Sequence, residues 1–125
     1  MEPEFLEFDE VIELHERSLA EYGGSSGLRD ENWVRSAVAQ PRNDFYYGRA
    51  DLFGIAAAYA FHIAQAQAFL DGNKRTGLAA ATAFLELNGV NTDADQSRLV
   101  EAMIAIAERR LDKAGLAALF RELFA

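Results

Sequence analysis

Apolar residues recur at helical spacing along most of the chain, and the elements they predict are helices. In residues 7–22, EFDEVIELHERSLAEY, the side chains of Val11, Ile12, Leu14, Leu19 and Tyr22 fall near a 3.6-residue period. Acids gather early in this stretch, where they suit the positive end of a helix dipole. Gly23 and Gly24 stop it, residues 25–28 make a small flexible connector, and Asp30 is the N-cap of a second helix that Pro41 ends. Residues 41–50, PRNDFYYGRA, mix turn formers with three successive aromatics, and β-propensity favours a short extended lip over a helix there. The alternative is an ordinary connector whose aromatics seal the edge of the core.

Asp51 caps DLFGIAAAYAFHIAQAQ, which is apolar on nearly every face and so should run through the centre of the domain. Residues 78–87, LAAATAFLEL, are equally apolar and end at Asn88 and Gly89, a left-handed capping pair, which makes this the second central helix. Asp95 and Asp112 cap two further amphipathic helices, SRLVEAMIAIAERR and KAGLAALFRELF. No alternation of apolar and polar residues is long enough for a sheet, and no internal repeat occurs. The expected fold is all-α, a single-domain bundle of about six helices over residues 1–125, with two buried central helices.

Composition narrows the function. A formal charge of −8 argues against a sequence-independent nucleic-acid binder, whose affinity comes from cations that displace phosphate counterions, and favours neutral or basic protein partners. The chain has no cysteine, so disulfides and thiolate metal sites are excluded and a reducing cytoplasm suits it. The first residues lack the character of a signal peptide, and the apolar run at 55–63 is broken by His62 and followed by Gln65 and Gln67, too short and too polar for a bilayer span. A cytoplasmic protein with no membrane contact is expected.

Several motifs fail on inspection. The stretch GGSSG at 23–27 fits a hydrolase nucleophile elbow, but that chemistry needs a strand entering a helix, and a helix precedes it here. His15 and Glu16 begin a zinc-protease pattern whose second histidine is replaced by Leu19. Asp93, Asp95 and Ser97 resemble a calcium loop, with Arg98 where glycine is obligatory. His15 and His62, the only histidines, read as surface or core-edge residues rather than ligands.

The gap between the two central helices is more specific. If one helix ends near Gln67 and the next starts near Asn73 or Lys74, the backbone amides around Gly72, Asn73 and Lys74 point outward unpaired. Lys74 and Arg75 add cations in that first turn, where the dipole disfavours them, and this suggests a phosphate. Asp71 beside such a site suggests a divalent cation bridging carboxylate and phosphate oxygens. The same residues also suit a plain tight turn, with Asn73 as N-cap and both cations solvated.

The segment QAFLDGNKRTGLAAATAFLELNG resembles the signature of the Fic/Doc family, in particular its death-on-curing branch, where the motif runs His-x-Phe-x-Asp-(Gly or Ala)-Asn-Lys-Arg before an apolar helix. The resemblance extends to ELHERSLAEYGGSSGLRDENWVRSAVAQP and so covers almost the whole chain. It implies a toxin of a toxin–antitoxin pair that moves a phosphoryl or adenylyl group from ATP or another nucleoside triphosphate to a protein hydroxyl, with a translation elongation factor as the expected target. By position, it implies that Asp71 holds Mg2+, Gly72 and Asn73 form a backbone anion hole, Lys74 and Arg75 grip phosphates, and Phe69 anchors the loop. Asp44, Phe45, Tyr46, Tyr47, Gly48 and Arg49 would form the flap on which the target polypeptide lies. The implied partner is an antitoxin whose C-terminal segment orders as a helix over the site; a self-inhibitory Ser/Thr-x-x-x-Glu-(Gly or Asn) pattern is not found in this chain.

Two positions depart from the pattern. Adenylylating members carry a second arginine three residues after the first; here it is Leu78, which fits the death-on-curing branch. The histidine that serves the family as catalytic base is replaced by Gln67. A carboxamide can orient a hydroxyl but has no useful basicity near neutral pH, and loss of a positioned base costs roughly a hundredfold to ten-thousandfold in rate. His62, five residues earlier on the same helix, would sit about 7.5 Å further from the loop. The expectation is therefore an impaired transferase scaffold, the alternative being a non-catalytic module of the same fold that binds a nucleotide or an antitoxin.

Overall fold

Eight of the fifteen residues in the helix Leu52–Ala66 are buried, and the architecture is arranged around it. The structure is a computed structural model and describes residues 2–125. Its helices are α1 (Phe8–Tyr22), α2 (Glu31–Gly48), α3 (Leu52–Ala66), α4 (Asn73–Leu87), α5 (Gln96–Ala107) and α6 (Lys113–Phe124), with no strand among the described residues. This is the all-α, six-helix fold expected from the periodicity. The caps also sit where the sequence puts them: Asp30, Asp51, Asp95 and Asp112 each accept a hydrogen bond from a backbone amide at the start of the following helix. Each such cap stabilises its helix by about 1 kcal/mol.

α3 packs against α2, α4, α5 and α6. Its run of alanines lets neighbours approach closely: a Cβ added at Gly77 of α4 would stand 2.7 Å from the Ala60 carbonyl oxygen. Tyr59, fully buried, has its hydroxyl pushed up to about 12 by burial. That hydroxyl accepts a hydrogen bond from the Leu6 amide at 2.8 Å, which pins the segment before α1 to the central helix. α4 is the second central helix. One of its sides is only half-buried, with Leu78, Ala79 and Thr82 bordering a groove beside α1. At its end Gly89, not Asn88, takes the left-handed conformation.

The expectation for residues 41–50 fails. Pro41 does not end α2, and Asp44, Phe45, Tyr46, Tyr47 and Gly48 form its last turns instead of an extended flap; Arg49 follows as its left-handed cap at φ 53°. Proline removes one intrahelical bond, but packing outweighs that local penalty. Pro41 itself is buried, Phe45 meets Phe5 edge-on and Tyr46 meets it at a tilt, and Arg42 lies over Phe5 while pairing with Glu7.

Candidate active site

α3 stops at Gln67 because that residue turns left-handed, with φ 51° and ψ 37°. The chain then dives inward. Phe69 is 1% exposed and stacks on the His15 ring, with centroids 3.8 Å apart and planes 16° from parallel. The Asn73 side chain clamps the loop by accepting from the Phe69 amide at 3.1 Å and donating to the Phe69 carbonyl at 3.0 Å. Gly72 takes φ 78°, which favours glycine, and its carbonyl accepts the first intrahelical bond of α4, from the Thr76 amide at 2.9 Å. No side chain caps this end.

The α1–α2 connector folds over the same loop. The Arg29 amide donates to the Ala68 carbonyl at 2.6 Å and the Leu70 amide to the Gly27 carbonyl at 3.2 Å, around an isolated antiparallel bridge between Leu28 and Phe69. Asp71 is gripped on its carboxylate by the Gly72 amide at 2.9 Å and the Ser25 amide at 3.3 Å. A side chain at Gly24 would collide with it, since an added Cβ falls 2.7 Å from Asp71 Oδ2. Arg75 donates to the Gly23 carbonyl at 3.0 Å, its guanidinium 5.3 Å from the centre of the Tyr22 ring. Lys74 is exposed and has no hydrogen-bond or ion-pair partner among the described residues.

These residues surround a cleft of about 520 Å³ that gathers Gln67, Asp71, Gly72, Asn73, Lys74 and Arg75. The other walls include Tyr22 at the end of α1, Arg29 of the connector, and Ala107 at the end of α5, which Gln65 ties to α3 by donating to the Ile106 carbonyl at 2.8 Å. The Asn73, Lys74 and Arg75 amides precede the first bond of α4 and have no backbone partner among the described residues. The Gly72 amide expected in the anion hole is instead taken by Asp71. Among the described residues, Asp71 is the only carboxylate lining the cleft.

Sequence reasoning misplaced residues 44–49 and His15 and did not find Arg29 or Tyr22. Asp44, Tyr47 and Gly48 line a separate depression against α6, and none of residues 44–49 reaches the cleft, so the segment beside the loop is residues 23–29 instead. His15 is 3% exposed, and its Nε2 lies 2.8 Å from the Asp71 carbonyl oxygen, so Nε2 carries the hydrogen and donates. Its signal was available: Val11, His15 and Ser18 repeat at helical spacing on the buried face of α1. Arg29 had no local signal, because only the folding back of the connector brings it to the cleft, and Tyr22 had shown only helical periodicity at the end of α1. His62 is remote from the cleft and accepts from Lys113 at 3.1 Å; burial and that ammonium hold its imidazole below the usual range.

A model of the Fic/DOC family matches residues 5–85. The chain is 30% identical to a protein kinase doc of Escherichia phage P1, over 93% of this chain and 92% of that protein. It is 38% identical to a toxin Doc of Mycolicibacterium smegmatis, over 92% of this chain and 89% of that protein.

Proposed function

The chain belongs to the Fic/DOC family, and from that premise we propose that it is the toxin of a toxin–antitoxin pair, built to move a phosphoryl or nucleotidyl group from a nucleoside triphosphate to a protein hydroxyl. The observation that carries this is the bare start of α4, where three amides without main-chain partners stand beside Lys74 and Arg75 in a cleft with one carboxylate. Such a helix terminus is an anion site, and the two cations strengthen it. The kinase in the name of the phage relative favours phosphoryl transfer, and the elongation factor is the target that the sequence resemblance implies.

The residues fit a magnesium ion that arrives with the phosphates. Such an ion takes one or two protein carboxylates and fills its other positions with phosphate oxygens and water. Asp71 supplies one, and no group of three or more His, Cys, Asp or Glu that could cage a resident metal occurs among the described residues. Once bound, the ion would neutralise phosphate charge. The α4 amides and Lys74 bind and orient the phosphates, Arg75 adds donors beyond the one it gives Gly23, and the Asn73 clamp with Phe69 keeps the loop rigid.

Proton removal is the weak point. Neither histidine lines the cleft, and Gln67 can only orient the attacking hydroxyl. We therefore assign this chain an impaired transferase site. Incubation with the elongation factor and ATP labelled at the γ or the α phosphate tests this: Gln67→His should raise transfer, with γ label marking phosphoryl and α label nucleotidyl transfer. No transfer of either label after the change would remove the transferase reading.

The absence of an imidazole from the cleft favours one other reading, a binding module without catalysis. Calorimetry that shows Mg-ATP binding by a Gln67→His chain that still transfers nothing would support it. For an antitoxin helix, the groove between α1 and α4 is the natural seat: it holds about 700 Å³, Leu14, Leu78 and Val100 give it an apolar floor, and Tyr22 and Arg75 line both it and the cleft.

A further inference from the structure

Acids outnumber bases 20 to 12 in this chain, so a basic side chain has little difficulty finding a carboxylate. Seven of the 12 are ion-paired. Arg29, Arg49, Lys74, Arg75 and Arg109 are not, among the described residues. One unpaired surface cation means little, because an exposed pair contributes at most about 1 kcal/mol. Three of these five, however, line a single cleft whose only acid among the described residues is Asp71. Lys74 and Arg75 belong to the signature loop; Arg29 does not, and it comes from another element.

We propose that Arg29 is a third phosphate-binding residue of this cleft, contributed by the α1–α2 connector to the same oligophosphate that the start of α4 holds. The inference rests on the nucleotide reading given above. Its geometric basis is the anchoring of Arg29: its amide is bonded to Ala68, next to Gln67, and Leu28 is bridged to Phe69. The base of the side chain is thus fixed against the loop. Arg29 is exposed and lines the cleft, and its side chain engages no hydrogen-bond partner among the described residues. Arginine presents a planar fork that matches two phosphate oxygens at once, so a cation here grips the chain of phosphates and leaves the nucleoside free. Gly24 and Gly27, at φ 120° and 111°, give the connector the backbone freedom to bend back and deliver it.

The test is calorimetry on the full chain with Mg-ATP, with magnesium tripolyphosphate and with adenosine. Arg29→Ala is expected to weaken ATP and tripolyphosphate equally, by about tenfold or more, as loss of a charged hydrogen bond does. Helix content by circular dichroism should stay unchanged, and Arg29→Lys should recover part of the loss. Arg49→Ala, which removes an unpaired arginine outside the cleft, should change nothing. Unaltered affinity in Arg29→Ala overturns the proposal, as does a loss confined to ATP, which would place Arg29 on the nucleoside. An equal loss in Arg49→Ala would reduce the effect to net charge. If Lys74→Ala loses binding while Arg29→Ala does not, only this inference falls; if the unaltered chain binds neither ATP nor tripolyphosphate, the nucleotide reading falls with it.

Discussion

Two charged regions border α3, and they treat their cations in opposite ways. Along the seam with α6, Arg121 donates to both oxygens of Asp51 at 2.8 and 3.0 Å, and Lys113 donates to Asp44 at 2.7 Å. The hydrogen bond from Arg121 holds the Asp51 carboxyl below the usual carboxylate range. At the cleft, by contrast, Lys74 and Arg29 have no partner among the described residues and Arg75 reaches only the Gly23 carbonyl. The dipole of α4 opposes cations at that end. The seam is neutralised by the chain itself, whereas the cations of the cleft have no carboxylate partner among the described residues. Unpaired charge beside unpaired amides is therefore the better guide to function here than charge alone.

The largest expected effect comes from restoring the one group the cleft lacks. Gln67→His should raise transfer to a protein hydroxyl by roughly a hundredfold or more, read as label incorporated per minute, if positioning is otherwise intact. Lys74→Ala should come next, lowering Mg-ATP affinity by about tenfold to a hundredfold in calorimetry while leaving the melting temperature nearly unchanged. A large drop in stability from that change would erase the distinction between seam and cleft. Asp51→Ala is the mirror experiment: it removes the α3 cap and the Arg121 partner, so unfolding in urea should show about 1–2 kcal/mol lost with nucleotide affinity preserved.

The smallest effect is a pH dependence confined to the seam. His62 accepts from Lys113, so its Nε2 must be bare in the fold, and burial together with that ammonium keeps its proton affinity below the ordinary imidazole value of 6.5, while Asp44 partly offsets this. The unfolded chain takes up the proton first, so this contribution is fully present above the ordinary value and declines as pH falls below it. Thermal melts at about pH 7.5 and about pH 5.5 should show a smaller acid-induced drop in His62→Gln than in the parent. An identical drop in both would assign acid sensitivity to the carboxylates alone.

Much of this arrangement is legible in the sequence, for definable reasons. Aspartate caps and apolar periodicity are local signals, and they place five of the six helix starts. The Asp71–Arg75 cluster is legible for the same reason, since the amides and cations of one helix start are neighbours in sequence. Where the deciding contact is distant, local rules mislead. Pro41 and its following aromatics obey turn propensities until Phe5 packs against them, and Arg29 is unremarkable until Ala68 holds its backbone. His15 marks the intermediate case: its spacing with Val11 shows a buried face, but the Asp71 carbonyl it serves lies 56 residues away.

The left-handed turn at Gln67 has a consequence for reversibility. Most side chains are strained at positive φ, but histidine is among the few that occupy that region often. The main chain is thus already shaped to accept an imidazole at the one place where it would matter. Either glutamine codon becomes a histidine codon by one third-base change. On the transferase reading proposed above, a dormant copy would be a single replication error from reawakening, and its cell would have reason to keep the antidote.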